Sequence, residues 1–341
     1  MRAVNQLDEA IWRDFVDHHP AGQIFHTPEM YRVFSATPGH RPTLWAVVDR
    51  HDRPLALFLP VEITLKGGPF YRLTTRAVSY ADVLTAPGDE GLAALDLLLA
   101  NYRQAVGRRI LFTEIRNLSD ASALQPVLQK HGFAFEGHLN YLIDLTRPPE
   151  EILQSFGKRT RKRIRKGLRD NIVQVSEVTR AADLPRWYSP LQETYQHARV
   201  PLAERRMFEN AFETLYNKGM VKFLIAEVDG HVAACSVELV YRDIIYGWYG
   251  GSDRRYSAAY PNEMLMWHIL RWGAENQFRV YDFGGAGKPD EEYGVRDFKA
   301  KFGGELVNFG RNTCVHNPLL LQFSKMGYGL FRRLMALKNR G

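Results

Sequence analysis

Tyr281-Asp282-Phe283-Gly284-Gly285-Ala286-Gly287, followed by Gly294-Val295-Arg296-Asp297-Phe298-Lys299-Ala300-Lys301-Phe302-Gly303-Gly304, is the stretch from which the rest of the chain is read. Residues 279–283 have the composition of a buried strand. The glycines that end it admit close approach of another backbone or a ligand, and a short amphipathic turn of helix then aims lysines. Spacing alone supports two readings: a site that does chemistry, or a tight turn stapled into the core by Phe298 and Phe302.

Composition bounds the class. The 341 residues exceed what one hydrophobic core usually serves, and 45% hydrophobic residues suffice for two domains. Lys plus Arg number 45 against 38 Asp plus Glu, a net charge of +7 that favours phosphate-bearing or anionic-surface partners. Asp8, Glu9, Asp14 and Asp17 crowd the N-terminus without an apolar core segment, so no secretory signal is expected, and no run reaches transmembrane length. Cys235 and Cys314 make neither a disulfide framework nor a metal knuckle. The expectation is a cytoplasmic protein with no metal and no resident cofactor.

Residues 7–18 have helical spacing at Leu7, Ile11 and Phe15. Apolar and β-branched runs at 43–48 and 55–63 predict a hairpin, followed by a helix over 90–105 and a strand over 110–115. The second half repeats this order. Runs at 221–228 and 232–241 echo 43–63, and a strand at 244–249, a helix over 262–276 and a strand at 279–283 echo 76–115. We expect a duplication of one mixed α/β unit, with chance likeness as the other explanation. Arg147-Pro148-Pro149 sets the boundary, giving domains 1–147 and 148–316 and a basic amphipathic helical tail, 317–341. In the second hairpin Cys235, Val237 and Leu239 alternate with Ser236 and Glu238, so Glu238 belongs to a solvated sheet face or lines a cleft.

From Lys158 to Arg169 eight of twelve residues are cationic, with Leu153, Phe156, Thr160, Ile164 and Leu168 as a narrow apolar seam. A solvated charged face would mix signs. One-signed charge at this density repels itself unless an anion is near, so Lys158, Arg161, Arg165 and Arg169 are candidate phosphate-binding residues. The anion is the backbone of tRNA, a pyrophosphate-linked carrier or a lipid headgroup. In the tail, Leu320, Phe323, Met326, Leu330, Phe331, Leu334 and Leu337 share one helical side with basic residues mostly elsewhere, so 319–340 either docks on an anionic membrane surface or packs on its own fold.

Asp282-Phe-Gly-Gly, then G-V-R-D-F-K-A-K-F-G-G-E-L over 294–306, preceded by Y-G-W-Y-G-G-S at 246–252, resemble the C-terminal half of the FemAB family. That family comprises aminoacyl-tRNA-dependent peptidyltransferases that build peptidoglycan bridges, together with acetyltransferase relatives. The resemblance spans residues 150–312 and implies an α/β (mixed α+β) fold of tandem GNAT-like domains with mixed central sheets. It assigns Lys299 to the developing oxyanion or to the donor's terminal ribose-phosphate. It also places an acidic residue, matched loosely by Asp82, near the acceptor amine. Asp282 is a candidate to accept a proton or orient a donor, or else caps a turn. Tyr246, Trp248 and Tyr249 offer stacking faces for a sugar or base, or belong to the core. Arg199 is a candidate acceptor-phosphate contact, and Gly284, Gly285 and Phe298 complete the candidate substrate-binding set.

Several classes lack their parts. Gly284-Gly285-Ala286-Gly287-Lys288 has the wrong spacing for a phosphate loop, and Pro289 stands where Ser or Thr would hold magnesium. No zinc-protease helix motif or nucleophile elbow occurs. Acyl transfer to an amine needs only a bound carbonyl, an oriented amine, a proton acceptor and a donor for the oxyanion. The segment Gly251–Asn262, where GNAT enzymes cradle the CoA pyrophosphate, lacks glycines in its second half, which favours aminoacyl-tRNA over acyl-CoA as donor co-substrate. The expected activity is therefore transfer of an aminoacyl or acyl group to an amine of a cell-envelope precursor or similar carrier. The alternatives are a CoA-dependent N-acyltransferase acting on an amino sugar or small amine, and a non-catalytic adaptor that binds membrane or RNA.

Overall fold

The alternating apolar runs of the first 136 residues become β1 (Arg2–Val4), β2 (His40–Pro42), β3 (Trp45–Val48), β4 (Pro54–Phe58), β5 (Val61–Thr64), β6 (Thr75–Ser79), β7 (Leu84–Thr85), β8 (Phe112–Arg116) and β9 (Ala134–Glu136). The structure, a computed structural model, describes residues 1–65, 68, 71–324 and 326. Further strands are β10 (Leu139–Asp144), β11 (Val173–Glu177), β12 (Val221–Val228), β13 (His231–Tyr241), β14 (Ile244–Ser252), β15 (Val280–Asp282), β16 (Glu305–Asn308) and β17 (Arg311–Val315). Two units share them: Met1–Glu136 with the described residues from Phe309 onward, and Gly137–Asn308. In the first, β1-β3-β4-β7 form one sheet and β2-β5-β6-β8-β17-β9 another; the second holds one sheet, β11-β12-β13-β14-β15-β10-β16.

These boundaries differ from the expected 147/148 and 316/317. β10, ahead of the proline break, pairs antiparallel with β15 and β16, and β17 pairs antiparallel with β8 and β9. Ladders between residues so far apart in sequence leave no local signal, so the six-stranded sheet takes β17 and the seven-stranded sheet takes β10 across the expected boundaries unannounced. Pro148 and Pro149 instead open the helix Pro149–Ser155, where a missing N–H costs nothing.

Both units contain an antiparallel pair leading into a parallel pair closed by one helix. In the first, β5 runs antiparallel to β6 and β6 parallel to β8 across the helix Gly88–Val106. In the second, β13 and β14 are antiparallel, and β14 lies parallel to β15 across Pro261–Glu275. The echo read from sequence thus has a topological counterpart. One detail departs from it: the 55–63 run breaks at Leu59-Pro60 into β4 and β5, which join different sheets, whereas β13 runs unbroken.

Each unit has its own core. Val47, Phe58, Leu95, Leu98, Tyr102 and Ile115 fill the first. In the second Ile152, Phe156, Ile164, Leu265, Ile269 and Phe302 pack together, each large side chain contributing about 1.5–3 kcal/mol on burial. Phe302 is the buried staple, edge-on to Phe156 at 5.3 Å. Among the described residues no helix is long and apolar enough to cross a membrane.

Candidate active site

The second sheet opens where its parallel pair ends. β14 and β15 match only from Ile244↔Val280 to Tyr246↔Asp282; β14 then continues to Ser252, while the chain after Asp282 turns away. The turn needs glycine. Gly284 has φ +74 and Gly285 φ +117, and a Cβ at Gly284 would stand 2.8 Å from the Gly247 carbonyl. Asn140 on β10 fixes the turn from the other side: its Nδ2 donates to Asp282 Oδ1 (2.7 Å), and its Oδ1 accepts from the N–H groups of Gly285 (2.9 Å) and Tyr141 (2.8 Å). Gly284 N–H also donates to Asp282 Oδ1, at 2.7 Å.

Into this turn the helix Gly294–Ala300 sends Lys299. The residue is half-buried as a whole, yet its ammonium donates to the carbonyls of Phe283 (2.5 Å) and Gly285 and lies 5.5 Å from the Phe283 ring centroid. Burial pushes its pKa down to about 8, opposed by the negative charges of Asp282 and Glu238. An ammonium has three donors, and two are spent on the carbonyls; among the described residues the third has no partner. Burial raises the Asp282 carboxyl against its two hydrogen bonds and the Lys299 charge. Asp282 is therefore built in as the cap of the turn, the structural alternative read from the sequence.

Other candidates fall elsewhere. Tyr246 reaches Gly284, where a Cβ would lie 2.9 Å from its hydroxyl. Trp248 and Tyr249 pack against Phe208 (5.7 and 5.0 Å between centroids), and Tyr249 also against Tyr195, so this aromatic set supports its own unit. Phe298 is half-buried edge-on to Phe302 at 5.1 Å, a packing position rather than an open ring face. Arg199 is the exposed left-handed C-cap of the helix Leu184–Ala198; among the described residues no hydrogen bond or ion pair joins it to the Lys299 group. Asp82 lies in the first unit, just past the end of the parallel β6/β8 pair. It is buried, with Oδ2 accepting from Leu118 N–H (3.1 Å) and Ser119 Oγ (3.1 Å) and Oδ1 unpartnered, and burial pushes it up to about 7.

The basic run forms the helix Lys158–Asp170. It docks through Thr160, Ile164 and Gly167, where a Cβ would meet Met264 Sδ at 2.5 Å; Leu168, expected in the seam, is 46% exposed. The close approach that Gly167 permits rotates the buried stripe off Leu168. Arg161 donates to the Gln154 carbonyl (2.6 Å), Arg165 pairs with Glu150, and Arg169 pairs with Asp170 at 3.5 Å. Arg163 pairs with Glu263 at 3.0 Å and lies 4.2 Å over the Tyr260 ring, closing the N-terminus of Pro261–Glu275. Lys158, Arg159 and Lys162 are exposed and have no ion-pair partner among the described residues. The helix start meets the Lys299 element, since Gly157 N–H donates to the Lys301 carbonyl at 2.9 Å.

Sequence reasoning missed Asn140, for which no local signal exists. Of the two readings of Glu238, the solvated sheet face fails, because both faces of β13 are covered and the acid is buried.

The family model described as an acetyltransferase (GNAT) domain matches residues 154–299. No curated protein matches the chain. Among solved structures it is similar to FemX (TM-score 0.72, 16% identity, 95% of this chain and 100% of that one). It is also similar to a tandem GNAT protein from the clavulanic acid biosynthesis pathway (0.58, 12%, 93% and 99%). A third similar structure is the C-terminal domain of a protein described as a lysylphosphatidylglycerol synthetase from Agrobacterium fabrum (0.57, 14%, 93% and 94%). Residues 154–299 are thus similar to an acetyltransferase (GNAT) domain, and the chain shares its mixed α/β fold with FemX and with a tandem GNAT protein.

Proposed function

We propose that the second unit transfers an aminoacyl or acyl group to an amine of a cell-envelope precursor or similar carrier, at the opening between β14 and β15. The observation that carries this reading is Lys299, an enclosed ammonium with two donors fixed on carbonyls and one left to meet an oxygen. The amine attacks the acyl carbon, a C–N bond forms, and the oxyanion takes the remaining Lys299 donor. The bond to the donor's oxygen or sulfur then breaks, and the leaving group takes the proton that the amine loses.

Aminoacyl-tRNA is the donor this reading favours, with acyl-CoA second. The N-terminus of the helix Pro261–Glu275, where a pyrophosphate would rest, is occupied by the buried carboxylate of Glu263 and its Arg163 partner. Lys158, Arg159 and Lys162 would meet the phosphates of tRNA, with Arg161, Arg165 and Arg169 able to join by exchanging protein partners. Leu319 and Phe323, exposed at the start of the tail, support peripheral contact with an anionic membrane from the cytoplasmic side. The tail beyond Met326 lies outside the described residues.

The test is donor-dependent mass transfer. The protein is incubated separately with charged tRNA and with acyl-CoA thioesters against a panel of amines that includes envelope precursors. Transfer from charged tRNA is expected; transfer from thioesters alone would select the CoA-dependent reading, and transfer from neither the adaptor.

A further inference from the structure

A carboxylate is costly to bury unless something compensates its charge, and Glu238, 1% exposed in the middle of β13, is in that position. Its hydrogen-bond partner is a phenol: Tyr281 Oη donates to Oε2 at 3.0 Å. β14 makes room for the pair. The register slips between Val237 and Glu238, so Trp248 is the extra residue of a bulge and Glu238 faces Gly247. A Cβ at Gly247 would stand 2.5 Å from Tyr281 Oη and 3.4 Å from Glu238 Oε2. Gly247 also presents its carbonyl to Gly284, which lies between the two carbonyls that hold Lys299. The acid, the phenol, two glycines and the ammonium thus form one contiguous group where β14 and β15 part. Packing alone does not explain the acid, because a glutamine carbonyl would accept the same bond without bringing a charge into the core.

We propose that Glu238 is a positioning residue of the transfer reaction: oriented by Tyr281, its carboxylate keeps charged the Lys299 ammonium that the two carbonyls hold toward the incoming acyl carbonyl. This rests on the role given to Lys299 above. The other titratable or charged groups about Lys299 are Asp282 and Tyr281 on β15, Tyr246 on β14, His138 ahead of β10, and Arg296 on its own helix. Asp282 is committed to Asn140 and the Gly284 N–H, and Arg296 to the carbonyls of Ala286, Lys288 and Pro289. Glu238 is pushed up to about 7 by burial, and the Lys299 charge draws it back toward ionisation; its own charge supports Lys299 in return.

The test reads Lys299 directly. In the full chain with isotope-labelled lysine, its resonance is assigned by its loss in Lys299→Met and titrated by NMR in the wild type, Glu238→Gln and Glu238→Asp. Lys299 is expected to titrate near 8 in the wild type and lower in Glu238→Gln. Glu238→Asp restores much of the difference, and the alkaline limb of single-turnover transfer moves with the titration. An unchanged Lys299 titration in folded Glu238→Gln overturns the proposal. Should that variant not fold, Tyr281→Phe carries the test, because removing the donor that favours the ionised acid also lowers the Lys299 titration; no shift there is equally fatal. The titration needs no substrate, so its failure is separable from that of the transferase reading, which is judged by transfer in the wild type.

Discussion

Lys299 is held by backbone carbonyls rather than by a carboxylate, and this decides how it responds to mutation. Lys299→Met keeps the stem beside Phe298 and Phe302 but removes the charge and the clamp on the Phe283 and Gly285 carbonyls. Single-turnover transfer is expected to fall on the order of 100- to 1000-fold, the usual loss of one oxyanion donor, with the melting temperature little changed. Lys301, whose ammonium lies 5.4 Å from the Phe298 ring centroid, should tolerate the same change. Because the charged form is required and burial lowers Lys299 to about 8, kcat/KM is expected to decline as pH rises through that value. Asp82 gives a pH effect on stability instead. Its folded pKa, about 7, lies above the unfolded value of 3.8, so the folded state binds the extra proton between them, and stability is lost as pH rises across that window and is flat above it. Asp82→Asn should remove a decline on the order of a few kcal/mol, read by urea unfolding between pH 4 and 8.

At the scale of the element, the basic helix divides its labour. Arg163 faces inward to Glu263 and Tyr260 and belongs to the fold; Arg163→Gln leaves a buried acid unpaired and is expected to cost about 2 kcal/mol or more in chemical denaturation. Lys158, Arg159 and Lys162 point outward and have no ion-pair partner among the described residues. Changing these three to Gln should leave stability within about 0.5 kcal/mol, while the salt dependence of tRNA binding falls by a log-log slope of about 2 to 3. An identical slope would remove the helix from the binding surface. The one-signed charge that draws attention to this helix was legible in the sequence; which cations stay unpaired was not, because Glu150 and Glu263, on other helices, are set against Arg165 and Arg163 by helix packing.

For the whole molecule, β17, which follows the second unit in the chain, makes the first unit depend on a distant part of the sequence. A chain ending at Asn308 is expected to lose the first unit's stability, since β8 and β9 would lose the strand between them, and limited proteolysis of both units would show it. Leu319→Glu with Phe323→Glu, by contrast, touches residues 72% and 63% exposed, so melting should hold while sedimentation with anionic vesicles falls; binding equal to wild type would exclude this face. The sequence by itself determined the mixed α/β class, the doubled order of elements, the glycine turn after Asp282 and the lysine aimed at it, because periodicity, φ-permissive glycines and charge runs are local properties. Only the tertiary structure decided that β10 and β17 change units, that Asn140 staples the turn and that Asp282 is its cap. It alone decided that Glu238 is buried beside Tyr281. Those outcomes depend on which strand lies beside which, and strand register is set by contacts between residues far apart in the chain.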